Sequence, residues 1–211
     1  MVAPSPGAEV APAGYELEML VLSADHEHLA GIDLACGALV RAWASETLDL
    51  HEVRPYDVVV GTLDEDPDLV PDPAEPEAVV FCEHPRRVGR MTGRRAERLL
   101  RPLLHPTGQP LLGTYSPAIA FWARTPDHPS IALVEPEGPV GVHRRGRMLT
   151  CTFRWRRLPM ELPLVDPRAW GTTGRSQERS RSGSIERLVV ALTPPIDGQC
   201  HKVVTGILPR P

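Results

Sequence analysis

Apolar and polar positions alternate over short stretches through most of this chain, which is the pattern of half-buried β-strands. The clearest runs are Tyr15–Ser23, Tyr56–Leu63 and Glu77–Glu83, which are rich in apolar residues and bounded by Gly, Pro or Asp. Four further runs follow in the C-terminal half: Ala118–Arg124, Ser130–Pro136, Val140–Arg145 and Arg147–Leu158. Because Pro and Gly separate these runs at short intervals, we expect an antiparallel meander.

The pair Asp197-Gly198 marks the clearest local turn. It separates two apolar runs, residues 187–196 and 199–208. Both central residues of a type I′ turn need positive φ, which Asp and Gly tolerate, so the spacing predicts a C-terminal β-hairpin.

Residues 24–45 fit two interpretations. Leu29, Cys36 and Val40 recur near helical spacing, which favours a helix, whereas Gly31 and Gly37 each cost a helix about 1 kcal/mol relative to Ala. The apolar residues between Ile32 and Val40 also fit a period of two. The pattern leans towards a helix and leaves strands as the alternative.

A second helix is predicted from Thr92 to Arg101. Thr92 is a candidate N-cap, and Pro102 is expected to end or kink the helix. Apolar residues recur on one stripe of it. They are Ala96, Leu99, Leu100, Leu103 and Leu104.

These elements predict a β-rich α+β fold with eight or nine short strands, mainly antiparallel, and one or two packed helices. We expect residues 15–211 to form a single domain after a Pro/Ala-rich, disordered tail, residues 1–14. Two loops interrupt it: an acidic, proline-rich loop at 64–77 and a flexible polar loop at 171–184.

Composition adds little about function but something about origin. A chain of 211 residues that is 42% hydrophobic and 24% charged is typical of a globular protein. It contains 22 Arg, one Lys (Lys202) and no Asn, which suggests a GC-rich genome of the actinobacterial kind. The four cysteines lie far apart, so we expect them to be reduced and mostly buried. Without a secretory signal or a transmembrane run, the sequence predicts a cytoplasmic protein that does not enter a membrane.

Charge is distributed very unevenly along the chain. Residues 1–85 contain 18 acidic and 2 basic side chains, whereas residues 86–211 contain 9 acidic and 21 basic ones. The two halves can neutralise each other within the fold, with the acidic loop lying over the arginines. Alternatively the basic half attracts an outside anion, such as nucleic acid or a phosphorylated ligand. The net charge of −4 argues against a generic polyanion binder.

Two sets of arginines are candidate anion-binding residues. Arg94, Arg98 and Arg101 share one stripe of the predicted helix, and guanidinium groups bind phosphate or carboxylate in a bidentate manner. Arg154 and Arg156 alternate along a predicted strand with Phe153 and Trp155, so they lie on the opposite face. We expect the aromatic face to pack inward and the arginine face to be solvated.

The stretch Asp25, His26, Glu27, His28 suggests a possible metal site. Zinc and non-haem iron sites need His and carboxylate ligands that converge, and Asp25, His26 and His28 are the candidates here. The sequence contains no P-loop, G-x-S-x-G or H-E-x-x-H motif. The leading hypothesis is therefore a binding or regulatory module whose arginine-rich surface engages an anionic partner or its own acidic loop. The alternative is a metal-dependent or histidine-based enzyme with a pocket lined by His26, His28, His51 or His84.

Overall fold

The computed structural model describes residues 15–25, 28–44, 53–64, 75, 77–125, 128–170 and 187–211. Over these residues the chain is mostly β-sheet, with thirteen strands in two sheets. Helical structure there consists of α1 (Gly93–Leu100), the single turn α2 (Pro167–Trp170) and three 3₁₀ turns (Arg101–Leu103, Leu111–Gly113 and Phe121–Ala123). None of these helices is both long and apolar enough to span a membrane.

The first sheet contains the six N-terminal strands. They are β1 (Glu16–Ala24), β2 (His28–Asp33), β3 (Leu39–Ala44), β4 (Asp57–Thr62), β5 (Ala78–Phe81) and β6 (Arg86–Arg90). The long strand β1 pairs with β2 through its C-terminal part and with β4 through its N-terminal part. Strand β3 joins β2 to β5, and a bridge between Leu63 and Phe81 returns β5 to the end of β4. The first five strands therefore close into a barrel.

The second sheet repeats this plan. Its strands are β7 (Ala118–Ala120), β8 (Ile131–Val134), β9 (Gly141–Arg145), β10 (Met148–Trp155), β11 (Leu158–Leu164), β12 (Arg187–Leu192) and β13 (Gln199–Leu208). Strands β8 and β9 together take the place of β1, because β8 pairs with β12 and β9 pairs with β10. Strand β11 runs parallel to β13, and β7 adds to the N-terminal part of β13.

Both barrels thus have the strand order 1-2-3-5-4-1 with strands 3 and 5 parallel, which is the Greek-key order of the OB-fold. The expectation of a β-rich fold is confirmed, but both sheets are mixed rather than purely antiparallel. The parallel pairs, β3 with β5 and β11 with β13, join strands that are distant in sequence. Local alternation and turn signals contain no information about such pairs. The predicted meander is therefore confirmed only for β9, β10 and β11, whereas β7 and β8 pair with β13 and β12.

The lean towards a helix in residues 24–45 is wrong. Strands β2 and β3 form a hairpin there, so the period of two was the correct interpretation. Gly31 shows why a glycine is required: a Cβ at this position would lie 2.4 Å from the carbonyl oxygen of Leu20 on β1. Close strand packing, rather than helix breaking, therefore explains this glycine.

Helix α1 agrees with the sequence prediction. Thr92 occupies the N-cap position, although its side chain makes no capping hydrogen bond, and the helix passes into a 3₁₀ turn at Arg101. Ala96 and Leu100 are buried. The preceding strand β6 was not predicted, because its sequence RRVGR has no apolar alternation.

Two hairpin turns have positive φ at both central residues. Asp197 and Gly198 have φ of 49° and 75°, which confirms the predicted type I′ turn. Arg156 and Arg157 connect β10 to β11 with φ of 53° and 63°, although neither is a glycine. Left-handed backbone costs an ordinary L-residue roughly 1–2 kcal/mol, so the Arg156–Arg157 turn is strained.

The two barrels pack directly against each other. Ser23 Oγ on β1 lies 3.0 Å from Thr205 Oγ1 on β13, and both side chains are buried. Arg41 on β3 donates a 3.0 Å hydrogen bond to the carbonyl of Leu192 on β12. One apolar cluster combines residues from β1, α1, β8 and β12. The barrels are therefore held by a shared core as well as by polar contacts.

The chain's only lysine is buried in the second barrel. Lys202 has no exposed surface, and its Nζ donates a 2.5 Å hydrogen bond to the carbonyl of Thr114. Burial lowers the pKa of Lys202 from 10.5 to about 8. Cys151 and Cys200 are buried as expected, whereas Cys36 and Cys82 are exposed, and all four are free thiols.

We predict that Gly206→Ala weakens the packing of the two barrels. A Cβ at Gly206 would lie 2.6 Å from the Ser23 Cβ, a distance that neither strand can accommodate without moving. Overpacking of this kind lowers the free energy of unfolding by about 1–3 kcal/mol, which urea denaturation would measure. Gly89→Ala is the matched control, because a Cβ there meets no atom within 4 Å. Equal stability of the two variants would contradict this view of the interface.

We also predict that stability rises with pH because of Lys202. In the unfolded chain its amine keeps a pKa near 10.5, so between about pH 8 and 10.5 the unfolded chain binds a proton that the folded protein has released. The free energy of unfolding therefore increases over this range. Lys202→Met should flatten the increase when urea unfolding is followed at several pH values. Parallel pH profiles for the variant and the unmodified protein would show that Lys202 is not responsible.

Candidate anion-binding groove

An open groove of about 620 Å³ lies between the first barrel and α1, and we call it the arginine groove. Ligand sites commonly have volumes of roughly 300–1,000 Å³. Its wall combines aliphatic side chains, three arginines and one acid. The lining residues are Glu18, Leu34, Val58, Val88, Gly89, Arg90, Met91, Arg95, Arg98 and Leu99.

A β-bulge in β6 shapes one wall of the groove. Val58 pairs with Gly89 while the next residue, Val59, pairs with Arg87, so Val88 has no partner in the ladder and is exposed. A bulge bends the strand and redirects its side chains. The chain then turns through Met91 into α1, whose buried residues Ala96 and Leu100 hold the helix against the shared core.

Part of the arginine charge beside the groove is neutralised from within the first barrel. The fully buried carboxylate of Asp57 on β4 lies 3.0 Å from Arg87 Nε and 3.6 Å from Arg90 Nη1. Its Oδ2 also accepts a 3.0 Å hydrogen bond from the backbone amide of Arg54. Asp57 thereby orients Arg87 and Arg90 on the strand and reduces the positive charge that these two arginines present to a ligand.

The acid of α1 is also occupied. Arg187 on β12 donates two hydrogen bonds, of 2.7 and 2.8 Å, to the two carboxylate oxygens of Glu97. These hydrogen bonds lower the pKa of Glu97 and raise the pKa of Arg187. The bidentate pair attaches α1 to the second barrel, and Glu97 is directed away from the arginines of the groove.

Arg95 and Arg98 remain as the accessible cations of the groove. Both side chains are exposed, and neither forms an ion pair with a carboxylate in the described ranges. The Nε of Arg98 donates a long hydrogen bond, 3.4 Å, to the carbonyl of Arg94. Two guanidinium groups thus face an apolar wall with their hydrogen-bonding capacity largely unused.

The predicted arginine stripe only partly coincides with the groove. Arg98 lines it, whereas Arg94 and Arg101 do not, and Arg95, which the stripe excluded, does. Arg101 lies close enough to Glu97 to lower the pKa of that carboxyl. Helical spacing identifies residues that share a stripe, but it does not tell which stripe faces the neighbouring barrel.

Arg154 and Arg156 lie elsewhere, on the β10–β11 hairpin of the second barrel. As expected, Phe153 and Trp155 pack into the core and Arg154 is exposed on the other face. Arg156 contacts Tyr115, which sequence reasoning had not singled out: its guanidinium carbon lies 5.2 Å from the centre of the Tyr115 ring. The two predicted sets of arginines therefore occupy different elements.

The candidate metal ligands are only partly described. Asp25 Oδ1 accepts a 2.8 Å hydrogen bond from the backbone amide of His28 and also lies 2.8 Å from His28 Nδ1. The His28 ring packs edge-on against Trp43, with ring centres 4.0 Å apart. His26 and His51 fall outside the described residues, and within them no three His, Cys, Asp or Glu side chains are grouped as a metal site.

Only the ends of the acidic loop, residues 64–77, are described. Glu75 is buried beside Arg41, with an oxygen 3.5 Å from its guanidinium. Glu77 accepts hydrogen bonds from the Ser130 amide and hydroxyl, the latter at 2.7 Å. These two acids contact β3 and the start of β8 rather than α1. The tail 1–14 and the polar loop 171–184 lie outside the described residues.

Comparison with known proteins yields no relative from which a function could be transferred. No protein-family model matches the sequence, and no curated protein matches it either. Among solved structures, the tetrameric p202 HIN2 shows a TM-score of 0.34 and 9% identity, with 93% of this chain and 94% of that chain covered. The p204 HINb domain shows a TM-score of 0.38 and 10% identity, with coverage of 90% and 96%. Similarity at this level is too low to inform function.

Proposed function

We propose that this protein is a binding module for an anionic ligand with an apolar body, which occupies the arginine groove. The observation that supports this is the placement of Arg95 and Arg98 beside an aliphatic wall, where neither forms an ion pair with a carboxylate of the described residues. The wall offers Val58, Met91 and Leu99 to the apolar part of a ligand. The guanidinium groups offer paired hydrogen bonds to its anionic part.

The groove favours a small anion over a long polyanion. Among the described residues Glu18 is the acid that lines it, and it would repel extended negative charge on that side. Burial of the ligand's apolar surface contributes roughly 25 cal/mol per Å², and this contribution does not depend on salt. The arginine contribution is screened by salt, so binding in the groove should weaken partly, not completely, at high ionic strength.

A histidine-based enzyme has less support. His28 is occupied by Asp25 and Trp43, so among the described histidines of the predicted pocket only His84 is exposed. We therefore retain the binding module as the function that the geometry favours.

We predict that the double variant Arg95→Gln, Arg98→Gln weakens binding of 8-anilinonaphthalene-1-sulfonate roughly tenfold, because two charge-assisted hydrogen bonds are lost. This probe combines an apolar ring system with one anionic group, and a fluorescence titration measures its affinity. Arg94→Gln is the matched control, since Arg94 has the same charge on the same helix but does not line the groove. Equal affinities of the two variants would contradict the proposal.

We further predict that Gly89→Trp abolishes binding at this site without unfolding the protein. A side chain at Gly89 enters open space beside the groove, so the indole should fill it. Circular dichroism checks the fold, and the same titration checks binding. Unchanged binding by a folded Gly89→Trp variant would place the probe elsewhere.

A further inference from the structure

A row of exposed large side chains lies along one edge of the second barrel, and none of them lines the arginine groove. Tyr115 is 58% exposed and Trp122 is 76% exposed. Phe121, directly before Trp122, and Ile196, directly before the Asp197–Gly198 turn, are exposed as well. We call these four residues, three aromatic ones and Ile196, the aromatic strip. Single exposed apolar residues are common, but several on one short segment mark an interaction surface.

The strip is held rigidly by β13. Strand β7 lies between Tyr115 and Phe121 and pairs with Gln199–His201. Directly after it, the backbone amide of Phe121 donates a 2.9 Å hydrogen bond to the carbonyl of Gly198. Lys202 holds the other end, since its amide bonds to the Pro117 carbonyl and its Nζ bonds to the Thr114 carbonyl. The segment that carries the rings is thus fixed to β13 through β7, and the rings lie in the bend before this strand and in the 3₁₀ turn after it.

Trp122 lies over the Asp197–Gly198 turn. One of its ring carbons is 3.1 Å from the place where a Cβ of Gly198 would be. The turn supports the inner part of the indole, while most of its surface remains exposed to solvent.

At the other end of the strip, the strained β10–β11 turn places Arg156 beside Tyr115. The Arg156 guanidinium lies over the Tyr115 ring and also donates a hydrogen bond to its hydroxyl. Asn-Gly would form this two-residue turn without strain, so the two arginines occupy it at a cost in stability. The backbone amide of Arg157 bonds to Glu137, whose carboxylate is 2.9 Å away. Glu137 thus contacts the β10–β11 turn, and Asp197 is part of the turn beneath Trp122.

We propose that the aromatic strip binds single-stranded nucleic acid, with bases stacked on Trp122 and Tyr115 and a phosphate bound by Arg156. Exposed rings beside a guanidinium group are the features that bind single strands, because every base has a face that can stack. Trp122 lies seven positions after Tyr115 along the chain, a span of at most about 25 Å, which a few nucleotides can follow. This site is independent of the arginine groove.

Local recognition of this kind is compatible with the net charge of −4, because stacking rather than charge supplies most of the affinity. If Arg154, Arg156 and Arg157 each bind a phosphate, the logarithm of the binding constant should fall with the logarithm of the salt concentration with a slope of about −2. A generic polyanion binder would show a steeper slope and would bind duplex DNA as well.

The test uses fluorescence anisotropy of a labelled oligothymidylate of about twelve nucleotides with the full chain. Trp122→Ala should weaken binding roughly tenfold, since one stacked base is lost. Arg95→Gln, Arg98→Gln should leave it unchanged, which separates this site from the groove. A DNA duplex of the same length should bind at least tenfold more weakly than the single strand. The proposal is overturned if the oligonucleotide does not bind, if the duplex binds equally well, or if Trp122→Ala binds normally.

The variant Arg156→Gly tests whether a loss of binding could result from misfolding rather than from the loss of the arginine. Glycine adopts the positive φ of this turn freely, so the variant should unfold at the same urea concentration as the unmodified protein or a higher one, yet bind the oligonucleotide roughly fivefold more weakly. Arg147→Ala is the control for charge, because it removes one exposed arginine at the opposite end of β10. Equal losses in the two variants would show that only overall charge matters and would also refute the site.

Discussion

The close approach of β1 and β13 is the contact on which the rest of the structure depends. Gly206 allows the two strands to meet because it has no Cβ, and the hydroxyls of Ser23 and Thr205 satisfy each other within the interface. With the barrels fixed in this way, α1 packs into their common core and Glu97 reaches Arg187 on β12. The width of the arginine groove, which lies between α1 and the first barrel, follows from this arrangement.

Within the described part of the chain, folding neutralises only part of the charge that the sequence separates. Some acidic residues of the first half form ion pairs with arginines inside or beside the barrels. Asp57 pairs with Arg87 and Arg90, and Glu75 lies against Arg41. Such buried or half-buried carboxylates would cost free energy without these partners. The arginines that remain on the surface are therefore the ones whose position needs an explanation beyond stability. Neither the OB-type topology nor a distant structural neighbour supplies that explanation, since one fold serves many functions.

Much of the local structure could be predicted from the sequence, because it depends on neighbouring residues. The Asp197–Gly198 turn, the main strands and α1 all follow from periodicity and turn chemistry. Features that depend on distant partners could not be predicted. Strand β6 is stabilised by Asp57, thirty residues earlier, and the parallel pairs join strands that other strands separate. The hairpin between β10 and β11 could not be predicted for another reason. Its turn consists of two arginines, and nothing in the sequence indicates a turn there.

The same limits apply to the candidate sites. Arginine content made α1 a candidate anion-binding element, but Arg95 could be assigned to the groove only once the barrel beside the helix was known. Aromatic residues drew attention to Phe153 and Trp155, which are buried, whereas Tyr115 and Trp122 lie in a segment whose pattern gave no sign of exposure. Sequence therefore indicated the chemistry of the surface better than its position.

The buried position of Lys202 also determines how the protein can be labelled. All other basic side chains that carry a fixed charge are arginines, which do not react with amine-directed reagents. In the folded state the ε-amine of Lys202 has no exposed surface, so acylating reagents cannot reach it there. Its modification therefore requires the second barrel to open, and the rate of lysine acylation reports how often that opening occurs.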